Sequence, residues 1–301
     1  METLAAVGTG IGAAAALGLG YSAGYEVRAF TLREVEVPGL AREAQPIKVL
    51  HLSDLHLMPS QHKKQRWLSS LAATNPDLIV ATGDFIASAK SIAPLADVLK
   101  SFAGIPSYFV FGSNDYYGPK LKNPARYLFK DKGVRIHDDP LPTEELRSML
   151  VELGWVELTH RRAQLELRGV RFELRGVDDP HLGLDDYATV AGPVAEACVG
   201  IGVTHAPYLR VLDAMVTDGC ELIFAGHTHG GQLRLPGYGA LVTNCDLDRA
   251  RARGLSSHPW PASAGAPSAW LHVSAGCGTN PYTPVRFACR PEATLLTLTA
   301  G

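Results

Sequence analysis

The chain has 301 residues, 46% of them hydrophobic and 19% charged, with a formal net charge of −2. That apolar content excludes a disordered chain. With no basic run longer than "HKK" (62–64), it also excludes an extended nucleic-acid track. Five widely spaced cysteines (Cys198, Cys220, Cys245, Cys277 and Cys289) form no CxxC pair, so they read as buried packing residues of a reducing compartment, not as disulfides or a thiolate zinc site.

In chain order, "LAAVGTGIGAAAALGLGYSAGY" (4–25) comes first, uncharged and long enough to cross a bilayer. It lacks the basic start of a secretory signal. Arg28 and Arg33 follow it and Glu2 precedes it, which by the positive-inside rule predicts a membrane anchor with the main domain on the cytoplasmic side. A cleaved signal and a packed helix are the other readings. The expected division is an anchor over 1–27, a linker with a short strand over 28–45, and one catalytic domain over 46–301.

Compact apolar runs at 47–52, 78–82 and 107–111 predict buried strands, separated by helices over 62–74 and 91–103. Residues 118–150 are irregular and Pro-rich, with a helix starting near Thr143. "AQLELRGVRFELRGV" (163–177) alternates and turns at Arg-Gly, a hairpin. Further strands are expected at 199–205, 222–227, 269–274 and 294–299, a helix over 207–216, and a surface loop over 254–268, where Pro, Ser, Ala and Gly accumulate. The early alternation indicates an α/β fold, and the later hairpin-like strands indicate two packed sheets.

Polar side chains recur just after the apolar runs: Asp54 and His56 in "SDLH", Asp84 in "TGD", Asn114 and Asp115 in "FVFGSNDYY", His205 in "GVTHAP", His227 and His229 in "AGHTHGG". Strand carboxyl ends are where α/β sheets bind ligands. Singly each piece is a turn or a core histidine; together they aim ligands from five segments at one place. Aspartates, neutral imidazoles and an amide oxygen, without thiolates, suit Mn, Fe or Zn. One carboxylate can bridge two such ions. Asp84 is the candidate, because Gly83 lets the backbone come close. A paired site lowers the pKa of a shared water to give a bridging hydroxide and clamps the oxygens of a phosphoryl group.

This ordered set resembles the calcineurin-like metallophosphoesterase superfamily, whose motifs are Asp-x-His, Gly-Asp, Gly-Asn-His-(Asp/Glu), a lone His and Gly-His-x-His. Here they stand as "DLH" (54–56), "GD" (83–84), "GSND" (112–115), "THAP" (204–207) and "GHTH" (226–229). The tail "VSAGCGTNPYTPVRFACRPEATLLTL" (273–298) further resembles the YkuE-like branch of bacterial, often membrane-associated phosphoesterases. The resemblance implies a four-layer αββα double β-sandwich. It implies one metal held by Asp54, His56, Asp84 and His229, and a second held by Asp84, the "GSND" segment, His205 and His227.

The "GSND" segment departs from the family pattern, where an Asn ligand is followed by a His that contacts the phosphate. Ser113 and Asn114 occupy those two places. Either Asn114 moves over as the ligand, the favoured reading since an amide oxygen binds these ions better than a hydroxyl, or Ser113 ligates weakly and Asn114 bonds the phosphate. In both, the imidazole proton donor is missing. The expectation is a slower phosphoesterase, or one whose substrate leaves as a stabilised anion, with Asp84 and Asn114 in the catalytic centre. Its substrate is a phosphodiester, phosphomonoester or pyrophosphate, on a small molecule or a lipid carrier and not on nucleic acid. The alternative is a metal-binding protein with weak or lost catalysis, acting in ligand binding. His51 reads as a packed histidine. His137 or His181 substitutes for the missing imidazole only if the fold brings it to the metals.

Overall fold

A computed structural model describes residues 17–40, 45–119, 139–261 and 265–300. Residues 1–16 of the expected anchor, and His137, lie outside this range. Strands β1 (Thr31–Val37), β2 (Ile47–Leu52), β3 (Leu78–Ala81), β4 (Ser107–Phe109), β5 (Val156–Glu157) and β14 (Glu292–Leu298) form one sheet in the order β1-β14-β2-β3-β4-β5. Strands β6 (Arg161–Leu167), β7 (Val170–Gly176), β8 (Val199–Val203), β9 (Cys220–Ala225), β12 (Gly254–His258) and β13 (Ala269–Val273) form a second in the order β12-β13-β9-β8-β7-β6. A short ladder of β10 (Arg234–Leu235) and β11 (Gly239–Ala240) stands apart.

The sheets pack face to face because alternate residues of each strand point to opposite sides. Val49, Val80 and Tyr108 of the first sheet meet Phe172, Ile201 and Phe224 of the second in one buried cluster. On the outer face of the first sheet, Leu50, Leu52 and Ile79 pack on α1 (His62–Ser70), α2 (Ile92–Leu99) and α4 (Thr143–Glu152), through Leu68, Leu95 and Leu150. On the outer face of the second, Ile223 and Leu271 pack on α5 (Leu209–Thr217) through Leu212 and Met215. The result is the four-layer αββα sandwich. Strands buried on both faces explain why the runs at 47–52, Lys48 and His51 apart, and 78–81 are apolar.

The hairpin turns at Arg168-Gly169 and pairs Leu167 with Val170. All five cysteines are buried and free. The loop expectation over 254–268 is corrected: Gly254–His258 is strand β12, antiparallel to β13 with Ser256 opposite Leu271. This edge strand is held by ladder bonds, and of its residues only His258 is buried. "GLSSH" therefore carries no hydrophobic alternation to read.

Before β1 the described chain is helical from residue 17 to Arg28, with Leu17, Leu19, Tyr21 and Tyr25 exposed. Buried Glu26 accepts a bond from the Cys289 N–H at 2.6 Å and ties this segment to the domain. Among the described residues, no helix is long and apolar enough to cross a membrane.

Candidate metal centre

The parallel strands β2, β3 and β4 of one sheet and β8 and β9 of the other end at the same edge of the sandwich. Their following loops carry Asp54 and His56, Asp84, Ser113 and Asn114, His205, and His227 and His229 respectively. Asp54 (φ 50°), His56 (φ 40°), Asp84 (φ 55°), His227 (φ 66°) and His229 (φ 49°) all adopt the left-handed backbone region. Each such residue costs on the order of 1–3 kcal/mol. The loops are held in it by backbone bonds, Asp54 N to Gly83 O and His56 N to Asp84 O, both 2.9 Å. Gly83, at φ +85°, lies so close to the next loop that a Cβ would fall 2.3 Å from Gly112 N. Its role in letting the backbone approach is thus visible.

The two carboxylate oxygens of Asp84 face different histidines. Oδ2 lies 3.4 Å from His56 Nε2, and Oδ1 lies 3.6 Å from His205 Nε2. His56 Nε2 is 3.2 Å from His229 Nε2, which is 3.6 Å from Asp54 Oδ1. Asp54, His56 and His229 form one group with ligand atoms within 4.8 Å of one another; Asp54, Asp84 and His205 form another. Asp54 Oδ1 and His205 Nε2 are buried without a hydrogen-bond partner. Orphaned atoms of this kind, set among carboxylates and imidazoles, fit divalent cations.

His227 lies beside the second group, its ring 5.3 Å from that of His205 and its backbone N–H donating to Asp54 Oδ2 at 3.0 Å. Asn114 lies against the central carboxylate: its Nδ2 donates to Asp84 Oδ2 and its backbone N–H to Asp84 Oδ1, each at 2.7 Å. Ser113 opens the single helical turn α3 (Ser113–Tyr116) and is buried.

Charge follows from burial and contact. Burial lowers His56 to about 4 and drives His229 well below the ordinary imidazole range, leaving both neutral and ready to ligate. Burial also pulls on His205, but the carboxylates of Asp84, Asp179 and Asp54 outweigh it and hold His205 at about 9. Burial raises Asp54 to about 6. Against its own burial, Asp84 is kept below the usual range by His205 and His56.

Around these candidate ligands lies a scaffold of which the sequence marks only Asp115. The buried Asp115 carboxylate accepts from Asp84 N and Phe85 N at 2.7 Å and from Gly112 N at 2.9 Å, fastening two ligand loops together. Lys64 is buried, brought down to about 7 by that burial, and donates to Leu55 O at 2.7 Å beneath the Asp-x-His loop. Fully buried Arg286 donates to Ala275 O at 2.8 Å and Gly278 O at 2.6 Å under His229. The only sequence hint was its place in the tail motif; Lys64 sat unremarked in the "HKK" run. A buried chain also runs from His272 Nδ1 to His51 Nδ1 (2.8 Å), His51 Nε2 to Thr82 Oγ1 (3.0 Å), Thr82 to Ser53 Oγ (2.6 Å) and Ser53 to Asp54 Oδ2 (2.5 Å). His51 is packed as expected. His181 lies with its ring 4.2 Å from that of His227.

The profile of the calcineurin-like phosphoesterase family matches residues 47–231. The chain is 25% identical over 262 residues to the metallophosphoesterase YkuE of Bacillus subtilis, covering 83% of this chain and 78% of that one. It is 26% identical over 290 residues to the phosphodiesterase YaeI of Escherichia coli, covering 93% of each. It is 26% identical over 292 residues to a transmembrane protein with metallophosphoesterase domain of Bos taurus, covering 91% of this chain and 57% of that one. The chain belongs to the calcineurin-like phosphoesterase family. It is a metal-dependent hydrolase acting on phosphoester bonds.

Proposed function

We propose that the protein hydrolyses a phosphodiester, phosphomonoester or pyrophosphate with two divalent cations, drawn from Mn, Fe and Zn. One is held by Asp54, His56, Asp84 and His229, the other by Asp84, Asn114, His205 and His227. The observation that carries this reading is the Asp84 carboxylate, whose oxygens face His56 on one side and His205 on the other. Such ions, when bound, supply Lewis acidity toward phosphoryl oxygens and lower the pKa of water. Neutral His56 and His229 offer lone pairs, while Asp84 and Asp54 offset the positive charge. The strained loops hold these atoms in place before substrate arrives, which is what electrostatic preorganisation requires. Asn114, bonded to Asp84 at two points, is a ligand through its amide oxygen or a positioner of that carboxylate.

Purified protein supplied with Mn²⁺ is expected to hydrolyse nitrophenyl phosphate esters, and Asp84→Ala to abolish this. Equal rates for the variant and wild type would refute the assignment.

The domain reading, with an anchor over 1–27, a joining segment over 28–45 and a catalytic unit over 46–301, places the enzyme at a membrane with its catalytic unit on the cytoplasmic side. Exposed Leu17, Leu19, Tyr21 and Tyr25 support it. The similarity to a transmembrane protein points the same way, and a lipid-linked phosphoester becomes a natural substrate class. Fractionation of cells expressing the chain with and without residues 1–27 tests the location: the full chain should sediment with membranes and the shortened one should not.

A further inference from the structure

Position 114, where the family pattern has an imidazole that meets the phosphate, holds an asparagine turned onto Asp84. The fold sets another imidazole at the same centre. His181 follows β7 in the loop "VDDPHLG" (177–183), on the same edge of the sandwich as the metal-ligand loops. Its ring lies 4.2 Å from that of His227, which in turn lies 5.3 Å from His205. His205 is fully buried, whereas His181 is only partly so and can be reached from outside.

The His181 side chain is held in place from two directions. Its backbone N–H donates to the carboxylate of buried Asp179 at 2.8 Å. Its Nδ1 lies 3.0 Å from the hydroxyl of Tyr208, the residue just before α5. The Arg210 guanidinium lies over the Tyr208 ring at 4.8 Å and steadies it. A neutral imidazole has one donor and one acceptor nitrogen. In the tautomer that accepts from the Tyr208 hydroxyl at Nδ1, Nε2 carries the hydrogen and can donate it to a ligand.

We propose that His181 contacts the substrate and donates a hydrogen bond from Nε2 to the leaving-group oxygen, taking over the role that position 114 has lost. The assignment rests on the phosphoester reading above. As the P–O bond breaks, its electron pair stays on the leaving oxygen, and the bond from His181 stabilises that charge. No proton transfer is required. The contribution is largest for poor leaving groups, on which more charge must be borne.

The test compares methyl 4-nitrophenyl phosphate with methyl phenyl phosphate, using the full chain supplied with Mn²⁺. His181→Ala should lower kcat/KM for the phenyl ester by about 10²-fold, the size seen when one preorganised donor is removed. The loss on the nitrophenyl ester should be under about tenfold, and bound Mn²⁺ should be unchanged. His181→Gln, which keeps an N–H donor, should recover part of the loss on the phenyl ester. Equal losses on both esters, or a loss of Mn²⁺ showing that His181 only props His227, would overturn the proposal. If wild type cleaves neither ester, the phosphodiester branch of that reading falls and this assignment falls with it. If wild type cleaves both and the two losses are equal, only His181 is wrong.

Discussion

His51 Nδ1 and His272 Nδ1 lie 2.8 Å apart, joining a strand of each sheet at the centre of the sandwich. The direction of this bond follows from the far end of the chain it belongs to. Ionised Asp54 can only accept, so Ser53 donates to it; Ser53 then accepts from Thr82, and Thr82 from His51 Nε2. His51 therefore has a bare Nδ1 and His272 a protonated one. Burial drives His51 well below the ordinary imidazole range and His272 to about 3, so both are neutral. Nitrogen-15 NMR of the imidazoles should find the Nε2–H tautomer at His51 and the Nδ1–H tautomer at His272. The reverse pair of tautomers would contradict the chain.

This chain occupies Asp54 Oδ2, together with the His227 backbone N–H, and turns Oδ1 toward His229. Partners of this kind orient metal ligands, and their loss typically costs 10–100-fold in metal affinity. His51→Phe should weaken Mn²⁺ binding by about that factor while the protein stays folded, as read by calorimetric titration and circular dichroism.

Asp115→Asn replaces one carboxylate oxygen with an NH₂ group facing backbone N–H donors that are at 2.7–2.9 Å in the native site. A loss of about 1–3 kcal/mol in unfolding free energy is expected, the range for a buried hydrogen-bonding group left unsatisfied. Urea denaturation of the metal-free protein measures it.

Metal binding should release protons. His205, at about 9 in the metal-free protein, is protonated at pH 7–8 and must lose that proton to ligate through Nε2. Affinity should therefore rise with pH up to about 9, and below pH 6 the deprotonation of Asp54, at about 6, acts in the same direction. Titrations in two buffers of different ionisation enthalpy count the protons; a release of none at pH 7.5 would contradict a His205 that is protonated before it ligates.

Gly112 has no room for a side chain. A Cβ there would stand 2.4 Å from Asp84 Oδ1 and 2.5 Å from His205 Cε1. Gly112→Ala should cut affinity for the second cation more than tenfold and leave the site around His56 and His229 less affected, as judged by stepwise Mn²⁺ titration.

Much of this was legible in the chain. Strands buried on both faces write continuous apolar runs, and the Asp54, His56, Asp84, His205, His227 and His229 motifs each fall at a strand end. The edge strand at 254–258 was not legible, because bonds to β13 hold it and burial does not. His272, Lys64 and Arg286 were not legible either, since their importance comes from contacts across the fold: His272 meets a residue 221 positions away. His181 could be flagged as a histidine without a motif, but only the meeting of β7 with β8 and β9 in one sheet explains why it faces His227.

The proposed function stands or falls with Asp84 joining two cations. A crystal grown with Mn²⁺ and examined by anomalous scattering should show two ions per chain, with one oxygen of Asp84 in contact with both or each oxygen in contact with one. A single ion, or two ions that Asp84 does not link, would contradict it.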